Sequence, residues 1–97
     1  MAFKLEIRPL AAVEVFEAFD WYELQREGLG VEFLEELESF YDSLLRNPTS
    51  YSYYDKPVRQ GKMKRFPYTV VFEIFENVII VYSVFMIRQD PNKKRTA

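Results

Sequence analysis

The chain has no cysteine and no histidine, and these absences narrow its chemistry more than any motif it carries. Without cysteine there is no disulfide, no thiolate metal site and no Cys/His nucleophile. Without histidine the commonest metal ligand and general base are missing, which also excludes a Ser/His/Asp triad. The three glycines do not have the spacing of a phosphate-binding loop. We therefore expect no metal and no cofactor.

Long apolar runs are missing as well. No stretch approaches the roughly 20 residues that a membrane-spanning helix needs, and residues 1–8 lack the apolar core of a signal peptide. A cytoplasmic protein is therefore the expectation. The length of 97 residues predicts a single domain over residues 1–97, with residues 92–97 as a short basic tail.

What the chain does have is an uneven distribution of charge. Residues 1–50 hold 11 of the 15 acidic side chains and 4 of the 13 basic ones, so the first half carries −7 and the second +5. Helical periodicity accompanies the acidic half, and β-branched and aromatic residues accompany the basic half. This pattern predicts an acidic helical layer on a basic-faced sheet. Such a face is suited to binding anions or an acidic partner.

Secondary structure in the first half follows from hydrophobic periodicity. Residues 3–8 alternate apolar and charged side chains, which predicts a half-buried strand. Pro9 suits the first turn of a helix. The apolar stripe of that helix has helical spacing and comprises Ala12, Val15, Phe16, Phe19 and Tyr22. Residues 28–30, Gly-Leu-Gly, break the helix. The apolar period of residues 29–44 predicts a second helix, and Asn47-Pro48 ends it. Phe33 and Leu37 lie in its buried stripe, and its opposite face is acidic and solvated.

The second half predicts three antiparallel strands. They cover residues 56–66, with a kink or bulge near Gly61, then residues 68–75 and 78–87. Glu76-Asn77 has the length and chemistry of a tight hairpin turn between the last two strands. The expected fold class is α+β: an N-terminal strand, an antiparallel helical hairpin and a three-stranded antiparallel sheet, in the order β-α-α-β-β-β. We expect the helices to pack on one face of the sheet.

Basic side chains on the predicted sheet are the candidates for a functional surface: Arg59, Lys62, Lys64, Arg65 and Arg88. Guanidinium groups clustered on neighbouring strands can hold a phosphate or a carboxylate through paired hydrogen bonds. The functional interpretation is a surface that binds nucleic acid or an acidic partner. The alternative is that these charges only keep edge strands from aggregating, and composition by itself favours that alternative.

Several short segments follow one another along nearly the whole chain: Trp21-Tyr22-Glu23, Gly28-Leu29-Gly30, Asn47-Pro48, Arg59, Arg65-Phe66-Pro67-Tyr68 and Asp90-Pro91. Together they resemble the RelE/ParE toxin superfamily, and within it the ParE-like, plasmid-stabilisation branch. The order β-α-α-β-β-β is also the fold of that family. The resemblance implies the toxin of a type II toxin–antitoxin module. A cognate antitoxin then neutralises the toxin by docking a helix in a groove and by strand addition.

Two mechanisms occur in this superfamily, because RelE-like members cleave mRNA on the ribosome and ParE-like members poison DNA gyrase. Arg59, Arg65 and Arg88 are able to fill the basic roles of an RNase. However, Met86 stands where many relatives have histidine, and Gln89 stands where many have a second arginine. No group that moves protons is therefore visible, and whether the chain is an enzyme stays open.

The resemblance therefore favours a ParE-like toxin that binds and inhibits DNA gyrase. One alternative is a ribosome-dependent mRNA endonuclease, and another is a non-toxic relative that retains antitoxin binding. The side chains expected to contact the target or the antitoxin are basic: Arg59, Lys64, Arg65, Arg88, Lys93, Lys94 and Arg95.

Overall fold

Two helices and a five-stranded sheet make up the fold. The computed structural model describes residues 2–87. In chain order the elements are β1 (Lys4–Ile7), α1 (Pro9–Gln25), α2 (Leu29–Arg46), a short 3-10 helix (Pro48–Ser50), β2 (Tyr53–Asp55), β3 (Val58–Lys62), β4 (Tyr68–Phe75) and β5 (Val78–Met86). The predicted α+β class is confirmed. Neither helix has the length and apolar character needed to cross a membrane in the part of the chain described.

The prediction of a three-stranded antiparallel sheet is incomplete, because β3, β4 and β5 form such a sheet and β1 and β2 extend it at its two edges. The five strands lie in the order β1-β5-β4-β3-β2. β1 pairs in parallel with β5, from Lys4 opposite Val78 to Ile7 opposite Val81, and the other neighbours are antiparallel. The alternation of residues 3–8 predicts a strand but not its partner. The nearly continuous apolar run of β5 is typical of a strand with neighbours on both sides, and β1 is the neighbour that the prediction left out.

Both helices share one hydrophobic core with one face of the sheet. Fully buried side chains of the sheet are Val70, Phe72, Ile79, Val81 and Val84, and those of α2 include Phe33 and Leu44. Phe33 and Leu37 are buried as predicted, with exposed fractions of 0% and 3%. Phe33 also packs edge-on against the aromatic rings of Phe66 and Tyr68, at centroid distances of 5.3 and 5.0 Å. Edge-to-face packing adds to the stabilisation that burial provides.

The predicted apolar stripe of α1 is only partly correct. Tyr22 is buried and Val15 and Phe19 are half-buried, but Ala12 and Phe16 are exposed. The innermost positions of α1 are instead Ala11 and Ala18. Large apolar residues of α1 lie on nearly every side of the helix, so hydrophobic periodicity does not indicate which face is buried. The small alanines define that face because they let the helix backbone approach the sheet.

The break between the helices is held by a carboxylate of α1. Gly28 adopts a left-handed backbone with φ of 88°, which glycine reaches without steric cost. Glu23 accepts hydrogen bonds from the N–H groups of Gly28 (3.1 Å) and Val31 (3.2 Å). It thereby caps the first turn of α2, whose own N-cap residue has no side chain to do so. Gly30 lies inside α2, where an added Cβ would meet the carbonyl oxygen of Phe19 at 2.7 Å.

The sheet is irregular in β2, between Tyr53 and Asp55, and in β5, but not at Gly61, so the predicted kink or bulge near Gly61 is wrong. β3 and β4 pair without a shift from Arg59 to Lys62. Gly61 is needed because an added Cβ would lie 2.5 Å from the Phe40 ring. In β5 the register shifts by one residue opposite Val71 and Phe72, which is a β-bulge.

Glu14 of α1 stabilises this bulge in β5. Its Oε1 accepts hydrogen bonds from Ser83 Oγ (2.7 Å) and from the Val84 N–H (2.8 Å). At the other end of β5 the predicted two-residue turn is confirmed. Glu76 and Asn77 connect β4 to β5, and Glu76 has φ of 56°.

Candidate binding surfaces

The guanidinium group of Arg59 is hydrogen-bonded to nearby groups of the protein. Its Nη1 donates to the carbonyl oxygens of Thr49 (3.3 Å) and Tyr51 (2.6 Å), and its Nη2 donates to the Tyr53 hydroxyl (3.0 Å). The guanidinium carbon lies 4.2 Å from the centroid of the Tyr53 ring. These contacts fasten the segment after α2 to β2 and β3. The charge of Arg59 is therefore already engaged in holding the fold together.

Arg65 is also engaged, in this case with α2. Its Nη2 lies 2.8 Å from Glu32 Oε1, and Arg26 approaches the other oxygen of the same carboxylate at 3.2 Å. The hydrogen bond from Arg65, reinforced by that from Arg26, lowers the pKa of Glu32. The hydrogen bond to Glu32 in turn raises the pKa of Arg65. Both groups therefore stay charged at neutral pH, joined by an exposed ionic contact between α2 and the chain between β3 and β4.

Glu36 fixes the backbone of that same connection. Its Oε2 accepts hydrogen bonds from the N–H groups of Lys64 (2.6 Å) and Arg65 (3.0 Å). The sequence pattern places Glu32 and Glu36 on a solvated helical back, and the structure shows both contacting the β3–β4 connection instead. Their spacing of four residues puts them in one row on α2, which is the only signal of this shared role in the sequence.

The basic residues predicted from the sequence lie on two consecutive segments of the described chain. Arg59 and Lys62 lie on β3, whereas Lys64 and Arg65 lie in the connection between β3 and β4. Lys64 keeps an exposed side chain. Four of the predicted residues fall outside the described residues: Arg88, Lys93, Lys94 and Arg95, together with the basic tail of residues 92–97.

An apolar groove runs between the two helices beside β1. Its lining includes Ile7 of β1, Val15 of α1, and Val31, Leu34 and Tyr41 of α2. The groove has a volume of about 540 Å³. Two carboxylates, those of Glu35 and Glu38, also line it. An apolar groove with acidic side chains is suited to an apolar segment that carries basic residues.

Tyr41 gives this groove an unusual polar atom. Its hydroxyl is buried and has no hydrogen-bond partner among residues 2–87. Burial raises the pKa of Tyr41 to about 12. A buried hydroxyl without a partner costs free energy, and a ligand or partner that supplied a hydrogen bond would recover it. Tyr41 carries no signal of this role in the sequence, because nothing in its spacing separates it from the core stripe of α2.

No metal centre is built into the described part of the chain, since no three Asp or Glu side chains between residues 2 and 87 are placed to hold an ion.

Comparison with solved structures shows that this fold, a helical hairpin on a five-stranded mixed sheet, is shared with structures of ParDE and RelE proteins, which supports the resemblance at the level of the fold. The chain is similar to the chromosomal ParDE toxin–antitoxin system from P. aeruginosa, with a TM-score of 0.79 at 13% identity over 89% of this chain and 97% of that one. It is also similar to the isolated RelE toxin of E. coli, with a TM-score of 0.72 at 18% identity over 98% of this chain and 95% of that one.

A third similar structure is the intact RelBE toxin–antitoxin complex of E. coli, with a TM-score of 0.70 at 19% identity over 91% of this chain and 100% of that one. No model of a known protein family matches the sequence, and no curated protein matches it either. The likeness is thus one of three-dimensional structure, over nearly the full length of each chain.

Proposed function

We propose that this chain is the toxin of a type II toxin–antitoxin module, that it acts in the cytoplasm by binding and inhibiting DNA gyrase, and that a cognate antitoxin neutralises it. The observation that carries the proposal is the fold. Structures of a toxin alone and of toxin–antitoxin systems match this chain over 89%, 98% and 91% of its length. Fold by itself does not determine activity, so the choice between targets rests on the side chains.

The arginines favour inhibition by binding over RNA cleavage. A nuclease needs cations that are free to stabilise the charge that develops in the transition state. Arg59 donates hydrogen bonds to oxygen atoms of the protein, and Arg65 is paired with Glu32. Met86 offers no proton where many relatives carry histidine.

The antitoxin is expected to occupy the groove beside β1. An amphipathic helix would bury apolar side chains against Val31 and Leu34 and place basic residues near Glu35 and Glu38. Leu34→Asp should then abolish neutralisation while the chain stays toxic. Tyr54→Asp, the same kind of change on an exposed side chain of β2, is the matched control and should leave neutralisation intact.

The experiment that tests the target is controlled expression in a bacterial host that carries a DNA-damage (SOS) reporter, with growth followed in the same culture. Growth arrest with the reporter on supports gyrase inhibition, and purified chain should then inhibit DNA supercoiling by gyrase. Arrest with a silent reporter and cleaved mRNA would favour the endonuclease. Normal growth in the absence of antitoxin would favour the non-toxic relative.

Lys64 offers a test of the basic surface that does not disturb the fold. Only its backbone N–H is bonded within the described residues, and its side chain is exposed. Lys64→Glu should therefore weaken inhibition of gyrase without changing thermal stability. Lys4→Glu, on the exposed side of the edge strand β1, makes the same charge change and is the control. Equal inhibition by both variants would remove Lys64 from the contact surface.

A further inference from the structure

A row of large apolar side chains lies on the solvent side of α1. Leu10, Val13, Trp21 and Leu24 are 59%, 52%, 50% and 83% exposed. With Glu17 they are spaced by three or four residues, so the five positions form one row along the helix, here called the α1 row. Burial of α1 uses other positions, namely Ala11, Ala18 and Tyr22. The fold therefore leaves the α1 row unused, and exposed apolar side chains grouped on one helix face mark an interaction site.

Charge defines what can cover the α1 row. Over Pro9–Gln25 the helix carries four acidic side chains and no basic one. Glu17 stands at the middle of the row, exposed, and makes neither a hydrogen bond nor an ion pair within residues 2–87. A partner that buries the row must place a positive charge against Glu17, because burying an unpaired carboxylate costs several kcal/mol.

A second copy of this chain does not meet that requirement. The row is symmetric about Glu17, since Leu10 and Leu24 are equidistant from it, as are Val13 and Trp21. A two-fold antiparallel pair centred on the row would place Glu17 directly opposite Glu17 of the other copy, and so would a parallel pair in register. Like charges at the centre of an apolar seam oppose association.

We infer that the α1 row is a docking surface for an amphipathic helix of a different protein, with an apolar stripe and a Lys or Arg at its centre. The apolar stripe packs between Leu10 and Leu24, and the central cation pairs with Glu17. This surface uses residues of α1 other than those that line the groove beside β1, which are Ala12 and Val15. It is therefore independent of the target and of the antitoxin groove proposed above.

The chain carries its own reporter for this test, because Trp21 is its only tryptophan. The probe is a designed helical peptide without Trp or Tyr, with leucines at the a and d positions of its heptads and lysine at the central a position. Its twin carries glutamate at that one position. The lysine peptide is expected to shift Trp21 emission to the blue and to bind at least roughly tenfold more tightly than the glutamate peptide.

Charge reversal provides the decisive comparison. Glu17→Lys, at an exposed position, should reverse the preference so that the glutamate peptide binds more tightly. Asp42→Lys makes the same charge change on the exposed side of α2 and should leave the preference unaltered. Circular dichroism checks that both variants are folded.

Several results would overturn the inference. They are equal binding of the two peptides, an unchanged preference in Glu17→Lys, and no binding of either peptide. Self-association of the wild-type chain that Leu24→Glu abolishes would make a second copy the occupant. A blue shift with anionic phospholipid vesicles but not with the peptides would assign the row to a membrane surface, which the all-acidic charge of α1 opposes.

Discussion

Replacing Tyr41 by phenylalanine should stabilise this protein, although most core substitutions destabilise. The Tyr41 hydroxyl is buried without a partner among residues 2–87. Leaving a buried polar group unsatisfied costs about 1–3 kcal/mol. Tyr41→Phe removes the oxygen and keeps the ring, so the free energy of unfolding at neutral pH is expected to rise by about that amount, or somewhat less where the ring relaxes.

The gain should grow in alkaline solution. Burial raises the pKa of Tyr41 to about 12, whereas the unfolded chain releases this proton near the ordinary value of 10.0. Between these values the unfolded state has lost the proton and the folded state has kept it, so folding becomes less favourable as the pH rises. A shift of this size corresponds to roughly 2–3 kcal/mol. Phenylalanine has no proton to release, so the variant is spared this loss.

Urea unfolding, followed by circular dichroism at neutral pH and at about pH 11, measures both effects. Tyr22 and Tyr68 also have raised pKa values because of burial, so the wild-type chain loses stability in alkali from several side chains. The difference between the wild-type chain and Tyr41→Phe isolates Tyr41. Tyr54→Phe, on an exposed side chain, is the control. A variant that is less stable than wild type at neutral pH, or whose advantage does not widen in alkali, would refute this reasoning.

Three further changes test the packing and the carboxylates. Phe33→Ala should lower the free energy of unfolding by about 3–5 kcal/mol, because it leaves a cavity where a fully buried side chain stood. A urea midpoint close to that of the wild-type chain would mean that this face of α2 is misassigned. Glu14→Ala should cost about 1–3 kcal/mol, because it leaves the Val84 N–H without its acceptor, and faster amide exchange at Val84 would identify the cause. Glu32→Gln should lower the free energy of unfolding at neutral pH but not in acid. Arg65 and Arg26 lower the pKa of Glu32, so its stabilisation is present at neutral pH and is lost as the pH falls through that lowered value. A difference in urea midpoint that persists in acid would exclude the charge as its source.

The elements could be predicted from the sequence wherever one period dominates. α2 has a clear apolar stripe on one face and acidic residues on the other, and its buried positions Phe33 and Leu37 can be predicted from that stripe. β4, the two-residue turn and β5 follow from apolar runs around Glu76-Asn77. By contrast, α1 is apolar on nearly every side, so its period could not show that Phe16 faces solvent. The pairing of β1 with β5 was missed because the alternation of side chains within a strand does not indicate which strand pairs with it.

The candidate sites were harder to predict, because they depend on contacts between residues far apart in the chain. The arginines were found by their charge, but the structure places Arg59 among carbonyl oxygens and Arg65 beside Glu32. Pairings of this kind come from tertiary packing and leave no regular spacing in the sequence. The unpartnered hydroxyl of Tyr41 is a sharper case, since an unmet hydrogen bond is visible only when every neighbour is known.

The parallel pairing of β1 with β5 also bears on how the chain folds as it is synthesised. β1 leaves the ribosome before both helices, yet the strand that receives it, Val78–Met86, is made after both helices and three further strands. The helical hairpin is complete long before the sheet on which it packs. Completion of the sheet must therefore wait until β5 has emerged. A chain released before β5 lacks the strand that joins β1 to β4, so β1 has no partner and the five-stranded sheet cannot form.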